Sequence, residues 1–179
     1  MLIEHDVDLK NYTTFHIGGP AKFFCTVTTL PEIVEAVAFA KGKNASVLIL
    51  GGGSNMLISD KGFGGLVIHL NLKGFRIDGE TVTIAAGENW DACAQRIVEA
   101  GLWGIENLSF VPGDAAGLAV QNVGAYGAQA SDVILSVNVY DTITNNQLQI
   151  SNEGCKFQYR KSVFNSKEKG RYVILSLTL

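Results

Sequence analysis

Three consecutive glycines, Gly51–Gly53, follow an apolar run and precede Ser54, Asn55 and a second apolar pair in LILGGGSNMLISD, residues 48–60. Adjacent glycines cost backbone entropy, so a folded chain keeps them where a bulkier residue would not fit. Something must therefore come close to the main chain here, and a phosphate is one candidate. The P-loop pattern needs a lysine after its glycines, and none follows. The dinucleotide fingerprint GxGxxG is half satisfied by Gly51 and Gly53, but Met56 stands at the third glycine position. MLISDKGFGG has no helical periodicity either. What remains is a strand, a Gly-Gly-Gly-Ser-Asn turn and a strand. Successive amides in such a turn form an anion-binding nest, to which Ser54 and Asn55 add side-chain donors. The alternative is a turn that only packs tightly.

The elements around this bend alternate. KFFCTVT (22–28) is β-rich. Thr29 stands three residues before Glu32, a capping-box spacing, with Pro31 in the first turn, and predicts a helix. Its apolar face is read as Ile33, Val34, Val37 and Ala38, with Gly42 as the C-cap. SVLIL (46–50) and GLVIHL (65–70) read as buried strands. FRIDGETVTIAAG predicts a hairpin turning at Asp78-Gly79. ENWDACAQRIVEAG predicts a helix that Glu88 helps to start. Trp90, Cys93, Ala94, Ile97 and Val98 form its apolar face, and Gly101 stops it. VILSVNVYDTITNNQLQIS alternates through Leu135, Val137 and Val139, turns near Asn145-Asn146, and alternates again at Leu148 and Ile150. RYVILSLTL (171–179) is a last strand. The order predicts an α+β fold of two lobes, with a boundary at Asn71 to Gly74.

Charge narrows the function classes. The net charge is -3 and the acids and bases are interspersed, so no basic stripe marks a nucleic-acid surface. The longest apolar runs fall far short of the ~20 residues of a membrane span, and MLIEHDVDLK lacks the apolar core of a signal peptide. Cys25, Cys93 and Cys155 form no CxxC pair and are odd in number, which fits a reduced, cytoplasmic protein. His5, His16 and His69 lack ligand-like spacing, and no metal site is expected. Trp90 and Trp103 read as core. VILSLTL is apolar and β-prone with no polar tail; a bare strand of this kind is an aggregation hazard unless paired, which suggests that the polypeptide continues.

ENLSFVPGDAAGLAVQNVGAYG (106–127) is the second informative stretch. It reads as a long loop, rich in Gly, Ala and Asn, and long loops in compact domains are usually functional. Its small residues would let a flat ligand lie on the backbone, with Gln121 and Asn122 offering amide donors and acceptors. Tyr126, in the run Gly124-Ala125-Tyr126-Gly127, is either a lid or a core aromatic.

TTFHIGGPA (13–21), LILGGGSNMLI (48–58), AGENW (86–90), ENLSFVPG (106–113), QNVGAYG (121–127) and FQYRKSVF (157–164) occur in the same order as in the UDP-N-acetylenolpyruvoylglucosamine reductase (UDP-N-acetylmuramate dehydrogenase) family. The resemblance spans nearly the whole chain. It implies the two-lobed FAD-binding fold of the vanillyl-alcohol oxidase type, with lobes at 1–70 and 71–179. Leu50, Gly51, Gly52, Gly53, Ser54, Asn55, Met56 and Leu57 match the loop whose amides hold the FAD pyrophosphate. Pro112, Gly113, Gly117, Gln121, Asn122, Gly124, Ala125 and Tyr126 match the segment lining the flavin, and Ile174 a backbone position near the adenine. Tyr159 and Arg160 match the pair at the reactive face.

In the family, NADPH reduces FAD and the reduced flavin passes hydride to the enolpyruvyl carbon of the UDP-sugar, for peptidoglycan synthesis. Arg160 is then expected to steady charge on the pyruvyl carboxylate. Neither a GSFFKNP-like segment, which carries the family's proton-donating serine, nor a WxEPE-like segment is found here. The chain therefore resembles the FAD-binding part alone and is expected to be inactive by itself; a non-catalytic FAD- or nucleotide-binding module is the alternative. The family commonly has arginine where His16 stands. It usually reads VPGxVGG where this chain has VPGDAAGLAV, so Asp114 either caps a short helix or competes for the pyrophosphate's amides.

Overall fold

A computed structural model describes all residues, 1–179. The chain divides into two compact units, Met1–Asn71 and Leu72–Leu179. No helix is long and apolar enough to cross a membrane.

The first unit holds β1 (Glu4–Asp8), β2 (Pro20–Val27), α1 (Leu30–Gly42), β3 (Val47–Leu50) and β4 (Phe63–Leu70). Its sheet runs β1-β2-β4-β3, with β2, β4 and β3 mutually parallel and β1 antiparallel to β2. Thr29 and Glu32 form the expected capping box. The buried face of α1 is Ile33, Ala36, Val37 and Ala40, whereas Val34 is 40% exposed; packing on β2 and β4 rotates the stripe one position from the sequence reading. Gly42 is helical. Lys43 is the C-cap and Asn44 takes the left-handed conformation in its place, φ 49°, which asparagine tolerates better than most residues.

Alternation sends Phe23 toward α1, where it meets the Phe39 ring, and Phe24 to the opposite face. There Leu9, Ala21, Phe24, Leu50, Ile58 and Val67 form a dry cluster against Tyr12. The return loop passes close to β2 at Gly62, φ 73°: an added Cβ would stand 1.9 Å from the Pro20 carbonyl oxygen. That contact ties the return loop to the start of β2.

The second unit holds β5 (Phe75–Asp78), β6 (Thr81–Ala85), α2 (Trp90–Glu99), α3 (Ala115–Gln121), β7 (Gly124–Ala125), β8 (Ala128–Gln129), β9 (Ser136–Asp141), β10 (Asn146–Ser151), α4 (Asn152–Cys155) and β11 (Tyr172–Thr178). Its main sheet is antiparallel in the order β10-β9-β11-β6-β5. The final strand is thus central and paired on both sides, so its apolar residues are covered within the sheet.

α2 buries Trp90, Cys93, Ala94 and Ile97, but Val98 is 46% exposed because the stripe is already complete. Glu88 does not start this helix. Asn89 caps it by accepting from the Ala92 amide at 2.9 Å, while Glu88 accepts from the Gly74 amide at 2.7 Å; asparagine is the better N-cap. Trp90 is wholly buried with its indole N–H on the Leu108 carbonyl, 2.7 Å, but Trp103 is 86% exposed and is not core. Leu135, expected to face inward, precedes β9 and is 57% exposed.

Candidate functional site

The glycine bend leaves the carboxyl end of β3, and residues 51–62 return to the start of β4 without a helix. Parallel neighbours need a crossover of about a dozen residues, usually a helix; here the crossover stays extended. In open sheets with parallel strands, ligands gather outside the carboxyl ends of those strands. Gly53 is buried, with φ 66°, and its added Cβ would stand 1.9 Å from the Tyr12 carbonyl oxygen. Its own carbonyl accepts from the Thr14 amide at 3.3 Å. The third glycine is therefore demanded by the protein's own backbone. Gly52, Asn55 and Leu57 are exposed, Gly51, Ser54 and Met56 half-buried, and Leu50 is in the core. Residues 48–57 carry no ionisable side chain.

In the second unit the stretch read as one long loop contains α3 and then a tight hairpin. Gly124 pairs with Gln129 and Ala125 with Ala128, leaving Tyr126 and Gly127 as the two loop residues, both at left-handed φ (50° and 86°). That is the sign pattern of a type I′ turn. Tyr126 is 89% exposed, so it is not a core aromatic. Its carbonyl accepts from Asn107 Nδ2 at 3.1 Å. Asp114 stands at the N-cap position of α3 but makes no side-chain capping bond. Gly113, φ 119°, accepts from the Trp90 amide at 3.0 Å. Gly117 and Pro112 are exposed, Gln121 is half-buried, and Ile174 lies in the core opposite Val139.

The YRKSVF motif is a second tight hairpin. Gln158 and Lys161 exchange both amide bonds, 2.9 and 3.0 Å, and Tyr159 and Arg160 fill the two loop positions. Arg160 has φ 54°, a conformation that usually calls for glycine or asparagine. Its Nη2 donates to the Gly124 carbonyl at 3.0 Å, so the two hairpins meet. Lys156, Arg160 and Lys161 place positive charge on residues 156–163, which hold no acid. Phe110 (φ 57°, 90% exposed), Tyr126 and Arg160 are all bulky residues at left-handed φ, and Tyr159 is 85% exposed. Backbone strain of this kind collects at functional sites, at about 1–3 kcal/mol each.

The sequence reading missed Ser162, Gln158 and Asn165, whose hydrogen bonds hold the second hairpin. Ser162 sits inside the YRKSVF motif, and that membership was the signal available. No group of three or more His, Cys, Asp or Glu is placed to hold a metal ion. Trp103 instead borders a shallow apolar cavity of about 160 Å³ with Val82, Ile97 and Leu179, which none of the motif residues above lines.

Residues 21–144 match the family described as FAD binding domain. The chain is 46% identical over 171 residues to the UDP-N-acetylenolpyruvoylglucosamine reductase of Streptomyces coelicolor, covering 96% of this chain and 44% of that protein. It resembles the crystal structure of the UDP-N-acetylenolpyruvylglucosamine reductase of Thermus caldophilus with a TM-score of 0.83 at 29% identity, over 99% of this chain and 61% of that one. A VAO-type flavoprotein of Myceliophthora thermophila shares the fold alone, with a TM-score of 0.67 at 14% identity over 88% of this chain and 31% of that one. The chain spans about half the length of the relatives it matches.

Proposed function

The chain belongs to the FAD-binding domain family, its fold is the α+β, two-lobed FAD-binding fold of the VAO type, and from that premise we propose that it is the FAD-holding part of a UDP-N-acetylenolpyruvoylglucosamine reductase. The observation that carries this reading is the Arg160–Gly124 hydrogen bond. It joins the YRKSVF and QNVGAYG motifs, and each alone would be only a strained turn.

The residues fit the group. Residues 48–57 offer main-chain dipoles with no carboxylate to repel a diphosphate. In this reading Leu50 to Leu57 hold the pyrophosphate in the first unit. In the second, Pro112, Gly113, Gly117, Gln121, Gly124, Ala125 and Tyr126 line the flavin, and the main chain at Ile174 lies near the adenine. FAD, when bound, supplies a two-electron carrier able to take hydride from NADPH and deliver it to an enolpyruvyl carbon.

The protein's own part is orientation and charge. One guanidinium nitrogen of Arg160 is fixed on Gly124. The planar fork keeps further donors for the two oxygens of a carboxylate. A preorganised donor aimed at developing charge in a dry site contributes about 3 kcal/mol. Tyr159, beside it on the hairpin tip, presents its ring to the same ligand. The substrate class is a small anionic UDP-sugar. A reduced, cytoplasmic setting accords with three buried, unpaired cysteines.

Titration of FAD into the purified chain, followed by flavin fluorescence, is expected to saturate at one FAD per chain. Unquenched flavin throughout the titration rejects the reading. The chain alone is expected not to oxidise NADPH in response to the enolpyruvyl sugar.

A further inference from the structure

Asn122 carries the C-terminal cap of α3 in a left-handed conformation, φ 43°, and is 2% exposed. Glycine is the usual choice at such a position, so capping alone does not call for this side chain. Its polar atoms are all engaged inside the protein. Nδ2 donates to Gln129 Oε1 at 3.0 Å and to the Gln158 carbonyl at 3.1 Å, and Oδ1 accepts from the Ser131 amide at 2.9 Å. Both amide hydrogens are used, and no donor is left for a ligand.

The Gln158 carbonyl belongs to the leg that enters the Tyr159–Arg160 turn. Ser162, 1% exposed, holds the leg that leaves it. Its Oγ donates to the Val120 carbonyl on α3 at 2.6 Å and accepts from the Phe164 amide at 3.2 Å. Asn165 closes the ring, accepting from the Ser162 amide at 2.9 Å and donating to the Arg160 carbonyl at 3.2 Å.

We propose that Asn122 and Ser162 are positioning residues that clamp both legs of the Tyr159–Arg160 hairpin to the end of α3, and so hold Arg160 in its strained, Gly124-bound pose. The left-handed conformation crowds the Cβ of any non-glycine residue and is unfavourable without support. An exposed tip with free legs would relax by turning the Arg160 backbone over, carrying the guanidinium away from Gly124. Burial makes the clamp rigid, because breaking it leaves the amide or hydroxyl partners without water to replace it. That clamp matters for catalysis on the reading that Arg160 meets the substrate carboxylate; the clamp itself is measurable with no ligand present.

The test uses the 179-residue chain labelled with ¹⁵N. The Arg160 Nε–H signal is assigned by its loss in Arg160→Lys. In the wild type it is expected to be resolved and rigid on the ps–ns scale. Asn122→Gly keeps the left-handed cap but deletes the side chain, and Ser162→Ala deletes the hydroxyl. Each should move the signal to the averaged arginine position, while Ser162→Thr should restore it. Should Asn122→Gly fail to fold, Asn122→Asp keeps the acceptor for Ser131 and loses both donors, and the same collapse is expected.

FAD affinity supplies the second readout. It should change less than about threefold in Ser162→Ala. An Arg160 signal already averaged in the wild type, or unchanged in Asn122→Gly and Ser162→Ala, overturns the proposal. So does a tenfold loss of FAD affinity with an unmoved Arg160 signal. A wild-type chain that binds no FAD rejects the functional reading instead, and the Arg160 signal still decides the clamp.

Discussion

Arg160 reaches 36 positions back along the chain to donate from Nη2 to the Gly124 carbonyl at 3.0 Å. The contact links two tight hairpins, Gly124–Gln129 and Gln158–Lys161, that are remote in sequence. Exposed aromatic side chains, Tyr126 and Tyr159, sit at their tips. Everything proposed for ligand handling in the second unit depends on that meeting.

Gly53 and Gly42 should respond oppositely to alanine. At Gly53 the new Cβ would stand 1.9 Å from the Tyr12 carbonyl oxygen at φ 66°, so Gly53→Ala should cost more than about 2 kcal/mol. Gly42 ends α1 with nothing within 4 Å of an added Cβ, so Gly42→Ala should stabilise by about 0.5–1 kcal/mol. Urea midpoints measure both; an unchanged midpoint for Gly53→Ala contradicts the close approach.

Gly52 is exposed in the same bend, so its substitution separates folding from binding. Gly52→Ala is expected to leave stability within about 0.5 kcal/mol while weakening FAD about tenfold, because a methyl group blocks close approach of a phosphate to the amides. Equal FAD affinities in flavin titrations would mean that the diphosphate does not use this bend.

Asp141 is fully buried, and the Arg171 guanidinium, 2.7 Å away, holds its carboxyl well below the usual carboxylate range, helped by the Ile143 and Thr144 amides. A depressed folded-state pKa contributes stability in full above the unfolded value of about 3.9. That stability is lost as pH falls below it toward the folded value. Arg171→Gln should therefore lower the urea midpoint at pH 7 and flatten its decline between about pH 5 and 2. A decline as steep as in the wild type would assign acid sensitivity to other carboxylates.

Burial pushes the Cys25, Cys93 and Cys155 thiols up to about 11. At pH 8 the reactive thiolate would be about 0.1% of each. Iodoacetate at that pH should leave the native chain unmodified by mass and add three carboxymethyl groups in urea. Rapid labelling of one native cysteine would show that its burial is breached.

Much was legible along the chain. The Thr29–Glu32 box, the 75–85 hairpin, the helix over Trp90 to Glu99 and the helix-free bend after Leu50 all follow from spacings of two to four residues. Where the reading slipped, a tertiary neighbour made the choice. α1 rolled to suit β2 and β4, Glu88 was drawn to the Gly74 amide, and the chain's last strand became the middle of its sheet. Residue type alone points Trp103 to the core, and type does not say which side a chain turns; the side chain is exposed.

The motifs and most of the longer strands and helices can be read along the chain, because periodicity, capping and turn chemistry act over a few residues and need no partner; α3 and the short hairpin after it cannot. No local pattern announces that Gly53 answers to the Tyr12 carbonyl, that Asn122 spends its amide within the fold, or that Arg160 lies on Gly124. Those contacts join segments dozens of residues apart, and their geometry exists only once burial has brought the segments together and removed the water that would compete for their hydrogen bonds.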